Sequence, residues 1–409
     1  MLPNLPQEFV WPDYAGGSIA NVPATVAALL GAPFAGLPPL RDELWHPLGD
    51  DVRRVMLVVF DAMGWNLFQS MTAEFEPLTR QAAVTGQLTS IFPSTTVAAL
   101  TSLWTGVAPA QHGLISFHMF LSELGVVGQM INLTPAFMRL PDSLVKGGLK
   151  PEKFIAAPSV ASQLLAADIP TYSFKGVDIV NSALSKMHGR QISQAFGAFT
   201  AADMFTQTRA FLERSHGKSY SFVYWPTIDT LSHFHGWDSP HVRAELRSLL
   251  LSLQTELLDN LSPAARKGTV VILTADHGQL LTDPQKRLYI DRSRKLYNKL
   301  LMRPSGEPRS GFLYARQGEL DGALAEFQRT FGDISRAVAS REALASGLFG
   351  PTPHDPATAV RVGDITALMR ENYMLMLSAQ KEEMNRMVGF HGGMTAAEML
   401  VPWLAFRLD

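Results

Sequence analysis

The sequence predicts an α/β fold in which a central, mostly parallel sheet is flanked by helices. Two apolar runs without polar alternation, 54–64 and 269–278, are typical of strands buried on both faces, as in parallel sheets. Helical patterns alternate with such strands along the chain, which favours the same class. With 409 residues, of which 46% are hydrophobic and 18% charged, the chain can bury a large core.

The elements can be placed in order from local patterns. We expect an N-terminal wrap over 1–50 with one helix that begins near Asn21 and stops at Gly31. Strand 54–60 follows, and 91–113 contains a helix that ends at Gly106. Residues 114–150 lack periodicity and predict a loop-rich insertion. Further patterns predict a helix in 159–170, a strand at 171–176, a helix in 198–216, a strand at 220–225, a helix in 238–261 and a strand at 269–274.

The last third of the chain changes character. From about 280 to 375 the sequence is more basic and its helices, near 319–331 and 340–347, are short. We interpret this segment as an inserted cap or lid within a single domain that spans 1–409. Residues 388–406 return to core-like sequence, with His391 in a glycine-flanked turn before an apolar strand.

Composition limits the chemistry and the partners. A formal net charge of −2 gives no bulk attraction to a nucleic-acid polymer or an anionic membrane. The sequence has no cysteine, so disulfides and thiolate metal sites are excluded, and any metal must be held by histidines and carboxylates. We see no signal peptide and no apolar run long enough to span a membrane, and we therefore expect a cytoplasmic protein.

Three hydroxyls stand at the start of the predicted helix in 91–113. Ser94, Thr95 and Thr96 follow Pro93, where free backbone N–H groups and the helix dipole favour a bound anion. A hydroxyl at this position is a candidate nucleophile. Ser and Thr are also the usual N-cap residues, and on this stretch alone a simple cap is the better explanation.

Six polar side chains follow predicted strands or a tight glycine turn. They are Asp61, Asp229, His233, Asp276, His277 and His391. For each residue alone, a helix cap or a hydrogen-bonded turn is the better explanation. Together they belong at one edge of the sheet, where open α/β sheets place ligands. Three carboxylates and three imidazoles are a suitable ligand set for two divalent ions.

These motifs carry a family resemblance. The ordered set FDAMG, STTVAALTSLWTG with APAQHG, DTLSHFHG, TADHG and FHGG resembles the alkaline phosphatase superfamily, and within it the nucleotide pyrophosphatase/phosphodiesterase branch. The motifs span 61–391. The resemblance implies an alkaline phosphatase-like fold and two zinc ions, with Mn²⁺ as the alternative metal.

The resemblance also implies residue roles. It assigns Asp229, His233 and His391 to one ion, and Asp61, Asp276 and His277 to the other, which the nucleophile also contacts. In this superfamily the nucleophile lies nine residues before the Thr of a Thr-Gly pair, and counting back from Thr105 gives Thr96. Thr95 is the second choice, and Ser94 is expected to be the N-cap.

The implied activity is two-metal hydrolysis of a small phosphate ester or nucleotide-like substrate through a covalent phospho-threonine. Phosphodiester or pyrophosphate bonds are the first choice. A phosphomonoesterase, a phosphonate or sulfate ester hydrolase, and a metal-stabilised binding scaffold without turnover are the alternatives.

One position departs from the branch. Phe117 stands where an Asn often holds a phosphoryl oxygen, and His118 is a candidate substitute. Other candidate anion-binding groups are Lys175, Arg190, Arg292, Arg294, Lys295 and Arg309, although a solvated helix face is the better explanation for the basic lid residues. We expect His112, His235 and His241 to be structural or exposed.

Overall fold

The computed structural model describes residues 6–409, except for the side chain of Glu383. The strands are β1 (Arg54–Phe60), β2 (Val84–Thr89), β3 (His118–Leu121), β4 (Val126–Gln129), β5 (Thr134–Pro135), β6 (Thr171–Gly176), β7 (Gln194–Ala198), β8 (Ser219–Trp225), β9 (Thr269–Thr274), β10 (Leu280–Leu281), β11 (Arg287–Tyr289), β12 (Ser305–Gly306), β13 (Ser310–Leu313), β14 (Ser335–Ala339), β15 (Ile365–Met369), β16 (Met374–Met376), β17 (Gly389–Phe390) and β18 (Leu400–Arg407). The helices are α1 (Val22–Leu29), α2 (Trp65–Ser70), α3 (Thr72–Gln81), α4 (Thr96–Thr105), α5 (Pro109–His112), α6 (Ser143–Lys146), α7 (Pro151–Phe154), α8 (Val160–Leu165), α9 (Ala183–His188), α10 (Ala201–Arg214), α11 (Thr227–His235), α12 (Pro240–Ser252), α13 (Pro263–Arg266), α14 (Arg294–Tyr297), α15 (Leu320–Phe331), α16 (Ser340–Ala345), α17 (Thr358–Arg361), α18 (Lys381–Met384) and α19 (Ala396–Met399).

The central sheet has seven strands in the order β2-β18-β9-β1-β8-β6-β7. Strands β9, β1, β8, β6 and β7 pair in parallel, whereas β18 runs antiparallel to both of its neighbours. Every residue of β1 and β9 is buried, as their unbroken apolar sequences indicate. The predicted fold class, a mostly parallel sheet flanked by helices, is confirmed.

A second seven-stranded sheet is antiparallel, with the order β14-β15-β13-β12-β3-β4-β5. Strands β3 to β5 come from the segment 114–150, which is mostly loop as predicted but contributes these short strands to the sheet. These strands have only two to four residues each, which is too short to show a period in the sequence. Strands β12 to β15 lie in 280–375, and the role of that segment as a cap or lid stays a prediction.

Two of the helices that the sequence predicted most clearly begin or end at residues with an identifiable physical role. Helix α4 stops at Gly106, whose φ of +69° is the left-handed conformation typical of a helix C-terminus. Helix α12 is capped by the Ser239 hydroxyl and continues as a π-helical turn over Leu253–Leu258. Within residues 6–409, no helix has both the length and the apolar composition that crossing a bilayer requires.

The start of α4 lies between the two sheets. Phe92 and Val97, which flank the hydroxyl run, are fully buried in an apolar cluster with Phe312 of the second sheet and with Phe349. The rings of Phe92 and Phe349 are 5.0 Å apart in an edge-to-face arrangement. On its other side, α4 contributes Leu103 and Trp104 to the core of the central sheet. Both cores therefore hold the hydroxyl segment in place.

Candidate active site

The carboxyl ends of three adjacent central strands deliver most of the polar residues. In register, Phe60 of β1 lies beside Trp225 of β8, and Val59 lies beside Thr274 of β9. The residues that follow these strands therefore emerge at one edge, as parallel pairing requires.

Each candidate ligand reaches this edge by a short route. Asp61 follows β1 directly, and Asp276 and His277 come within three residues of the end of β9. Asp229 and His233 lie one turn apart on α11, which begins two residues after β8. His391 follows β17, which pairs with β10, the strand just after the His277 turn.

The structure brings these six side chains together as two groups. Ligand atoms of Asp61, Asp276 and His277 lie within 4.8 Å of one another, and so do those of Asp229, His233 and His391. The rings of His277 and His391 stack with their centroids 3.9 Å apart. The two groups are therefore neighbours, and we call them the Asp61 triad and the Asp229 triad.

The Thr96 hydroxyl lies at the Asp61 triad. Its Oγ1 is 3.0 Å from Nε2 of His277 and 3.5 Å from Oδ1 of Asp61. Thr95 occupies the N-cap position of α4, and its side chain faces the carboxylate of Glu307 instead. The expectation that Ser94 caps the helix was wrong, because α4 begins one residue too late for it. The Ser94 hydroxyl donates to the carbonyl of Gly393 at 2.8 Å.

Backbone carbonyls orient the three imidazoles. Each Nδ1 contacts a carbonyl oxygen, which can only accept a hydrogen bond, so Nδ1 carries the proton and the Nε2 lone pair is free. The contacts are His233 to Gly389 at 2.8 Å, His277 to Gly278 at 3.1 Å and His391 to Ser94 at 3.0 Å. Each Nε2 lies within 3.6 Å of a carboxylate oxygen of its own triad.

The Asp61 triad is rich in buried negative charge. Asp276 Oδ1 accepts the N–H groups of Ala62 and His277, each at 3.0 Å, whereas Asp276 Oδ2 is buried with no hydrogen-bond partner among residues 6–409. Burial raises the pKa of Asp276 to about 6, and burial together with Asp276 and Asp229 raises the pKa of Asp61 well above its usual value. Burial lowers the pKa of His277 to about 4, so its ring is neutral. Clustered carboxyl groups, a carboxylate oxygen without a hydrogen-bond partner and a neutral imidazole fit a divalent cation.

Two residues that sequence reasoning missed hold the carboxylate ligands. The Tyr224 hydroxyl donates to Oδ2 of Asp61, and the Gln279 amide donates to Oδ1 of Asp229. Gln279 could have been noticed, since it follows His277 and Gly278 directly. Tyr224 could not, because within the aromatic strand β8 it reads as an ordinary core residue.

Glu307 is a third residue that sequence reasoning missed. It lies beside Phe117, the position at which the sequence lacks the Asn of the related branch. It is in the loop between β12 and β13, and its Oε1 accepts the Phe117 N–H at 2.7 Å and the Ser116 hydroxyl at 3.1 Å. Burial raises the pKa of Glu307 to about 7. The position expected to offer an Asn amide is therefore next to a buried carboxyl group, and no local sequence signal indicates it.

Two cavities flank the triads. The first, of about 490 Å³, is lined by Thr96, Asp61 and Lys175 among others, and we call it the Lys175 cavity. The second, of about 430 Å³, is lined by His233 and Glu307 among others, and we call it the Glu307 cavity. Phe117, His118 and His391 also line the second cavity.

The other basic residues proposed to bind an anion fall into two groups: some are held by protein partners, and the rest are exposed. Arg190 donates to the carbonyls of Ile155 and Ala157, and Arg309 is fully buried in an ion pair with Glu398, so both expectations were wrong. The sequence could not show these partners, because they are distant along the chain. Arg292, Arg294 and Lys295 are exposed and line neither cavity.

The histidines expected to be structural or exposed behave accordingly. His112 is buried, accepts the Leu114 N–H and contacts the Ser102 hydroxyl, while the exposed His235 stacks on His241.

Comparison with known proteins adds an independent result. The sequence model of the family described as type I phosphodiesterase / nucleotide pyrophosphatase matches residues 55–394. A search of curated proteins finds no match.

Solved structures with a similar fold include two kinds of hydrolase. Murine ectonucleotide pyrophosphatase / phosphodiesterase 5 superposes with a TM-score of 0.66 at 18% identity, covering 86% of this chain and 87% of that chain. An inactive variant of it in complex with AMP gives a TM-score of 0.66 at 17% identity, with coverages of 87% and 88%. Phosphonoacetate hydrolase from Sinorhizobium meliloti 1021 with phosphonoformate gives 0.65 at 16%, with coverages of 87% and 90%. At such identities these likenesses establish the fold.

Proposed function

We propose a reaction for this chain, which belongs to the type I phosphodiesterase / nucleotide pyrophosphatase family and is therefore a phosphoester hydrolase. In this proposal the chain cleaves phosphodiester or pyrophosphate bonds through a covalent phospho-threonine at Thr96. The observation that carries the proposal is the meeting of two Asp/His triads beside the Thr96 hydroxyl. The Thr95 hydroxyl, which faces Glu307, is less suited to the same role.

The donor set fits two divalent ions. Asp61, Asp276 and His277 would hold one ion together with Thr96, and the Asp229 triad would hold the other. Oxygen and imidazole donors without cysteine suit zinc, with Mn²⁺ as the alternative. When bound, such ions lower the pKa of a coordinated hydroxyl and neutralise the charge on phosphoryl oxygens.

The chain's own groups account for the rest of the chemistry. Thr96 Oγ1 loses its proton to solvent and attacks phosphorus, a Thr–O–P bond forms, and the bond from phosphorus to the leaving oxygen breaks with its electron pair going to that oxygen. Free N–H groups at the start of α4 lie where they can donate to the phosphoryl oxygens. Water then cleaves the phospho-threonine and regenerates the hydroxyl.

The two cavities support a diester or pyrophosphate over a monoester. A diester carries a substituent on each of two phosphoryl oxygens, and the triads have the Lys175 cavity on one side and the Glu307 cavity on the other. A monoester would use only one of them. The AMP and phosphonoformate bound by the structural neighbours support a small substrate rather than a polymer.

A substrate pair and a metal count test the proposal together. We expect the zinc-loaded chain to hydrolyse bis-p-nitrophenyl phosphate with a higher kcat/KM than p-nitrophenyl phosphate. Elemental analysis should find two ions per chain, and Asp229→Ala and Asp276→Ala should each lose one.

Three results would contradict parts of this proposal. Preference for the monoester would indicate a phosphomonoesterase. Inactivity on both esters after metal reconstitution would favour a binding scaffold, and full activity with fewer than two ions would exclude the two-metal mechanism.

A further inference from the structure

Lys175 is a buried cation that has no acidic partner among residues 6–409. It lies near the end of β6 with 6% of its surface exposed, and its ammonium group donates to the Ser185 hydroxyl at 3.2 Å. The same group lies 5.7 Å from the centre of the Trp104 ring. Asp142 and Asp178 line the same cavity, yet within residues 6–409 no carboxylate is within ion-pair distance of Lys175.

Such a position is costly for the free protein. Taking an ammonium group out of water without a carboxylate to pair with it costs free energy, and one hydroxyl and an aromatic face recover only part of that cost. Burial lowers the pKa of Lys175 to about 8, and no neighbouring acid offsets the effect. The group still carries a proton at neutral pH, so a positive charge is held in the cavity wall.

The cavity connects this charge to the site of attack. Thr96 and Asp61 line the Lys175 cavity, and so do Lys175 and the polar side chains of Asn181 and Ser182. A group bound to the Lys175 ammonium could therefore belong to the same molecule as the phosphoryl group at Thr96.

We propose that Lys175 binds a second acidic group, a carboxylate or a phosphate, on the part of the substrate that occupies this cavity. The inference rests on the proposed function in that the cavity must receive the substrate. It narrows the substrate to an ester in which one substituent is itself anionic. Lys175 supplies a point charge with freely rotating donors, which suits either acid.

Binding without turnover tests the proposal. The zinc-loaded Thr96→Ala chain would be titrated calorimetrically with phenyl phosphate, 4-carboxyphenyl phosphate and 1,4-phenylene bisphosphate. We expect at least one of the two acid-bearing probes to bind about tenfold more tightly than phenyl phosphate. The probe that gains identifies the acid as a carboxylate or a phosphate.

Two further variants test whether Lys175 causes this preference for acid-bearing probes. In Thr96→Ala/Lys175→Met the preference should fall to about one, because methionine keeps a long apolar side chain without the charge. In Thr96→Ala/Lys186→Met it should be retained, because Lys186 is exposed on α9 and does not line the cavity. Lys175→Met should also melt at the same temperature as the parent or higher, since it removes an unpaired buried charge.

Equal affinities for all three probes, or an unchanged preference after Lys175→Met, would overturn the proposal. A melting temperature far below that of Lys186→Met would show that Lys175 is structural and would also overturn it. If the acid preference were present but diesters were not hydrolysed, only the proposed function would fail. If diesters were hydrolysed but the preference were absent, only the role of Lys175 would fail.

Discussion

In each triad, a neighbouring side chain restrains one carboxylate at one of its oxygens. The Tyr224 hydroxyl donates to one oxygen of Asp61, and the Gln279 amide donates to one oxygen of Asp229. A carboxylate held in this way has a fixed direction, and its other oxygen remains available to the triad. Loss of a group that orients a metal ligand typically lowers metal affinity or activity by about 10- to 100-fold.

Tyr224→Phe should weaken metal binding at the Asp61 triad by roughly 10- to 100-fold, because Asp61 loses its orienting hydrogen bond. Excess zinc should restore turnover. The measurement is the zinc dependence of activity after dialysis against a chelator. Tyr220→Phe on the same strand is the matched control, since the Tyr220 hydroxyl is buried without a hydrogen-bond partner among residues 6–409. An identical zinc dependence in both variants would contradict the orienting role.

Two glycines bring the ligand-bearing turns after β1 and β9 into direct contact. A Cβ atom on Gly278 would lie 2.2 Å from the carbonyl oxygen of Ala397 and 3.1 Å from Cα of Gly64. The first distance is too short for any side chain at this position, and the second is tighter than most real Cβ contacts. The contact places the Asp61 turn against the turn that carries Asp276 and His277.

Gly278→Ala should therefore move the adjacent His277 and lower kcat/KM by about 100-fold, the effect expected from a displacement of about 1 Å at a reacting group. Overpacking should also reduce the free energy of unfolding by about 1–3 kcal/mol. Steady-state kinetics and urea unfolding would measure the two effects. Gly311→Ala is the control, because its Cβ would meet only Leu313 at an ordinary 3.8 Å. Full activity in Gly278→Ala would exclude this account of the turn.

Elements with local signals could be predicted from the sequence, and elements defined by distant pairing could not. Strands β1 and β9 were visible as apolar runs, and α4 was visible from its apolar face and Gly106. The second sheet was not, because β3 meets β12 through the pair His118 and Gly306. No local period encodes such a contact.

The residues of the candidate site also divide into those that the sequence indicates and those that only distant contacts reveal. The triad residues could be proposed because each follows a strand or a glycine turn, and because their order resembles a known family. Tyr224 and Glu307 could not be found, since their importance depends on which residue they face. Arg309 was misinterpreted for the same reason, because its partner Glu398 is distant in sequence.

At the scale of the whole molecule, one buried ion pair links the two sheets. Arg309 lies between β12 and β13 of the second sheet, and its guanidinium group donates to both carboxylate oxygens of Glu398 at 3.0 and 3.1 Å. Glu398 lies on α19, just before β18 of the central sheet. It also accepts the N–H groups of Gly393 and Thr395, which follow His391 closely. The pair therefore fixes the turn that carries one candidate ligand.

Arg309→Met should lower the free energy of unfolding by about 3–5 kcal/mol, because it leaves the Glu398 carboxylate buried and unpaired. Replacing both residues, as Arg309→Met/Glu398→Leu, should recover part of that loss. Urea unfolding would measure both variants. Arg329→Met breaks a surface pair with Glu326 and should leave the midpoint unchanged. A loss no larger than that of Arg329→Met would contradict the linking role.

The central claim is that Thr96 is the nucleophile, and the most direct measurement identifies the residue that carries phosphorus during turnover. The zinc-loaded chain would be mixed with bis-p-nitrophenyl phosphate, quenched in acid during turnover, digested and analysed by peptide mass spectrometry. We expect an aryl-phosphoryl group on Thr96 that persists in Thr95→Ala and disappears, together with turnover, in Thr96→Ala. An adduct on Thr95, or undiminished turnover in Thr96→Ala, would contradict the assignment.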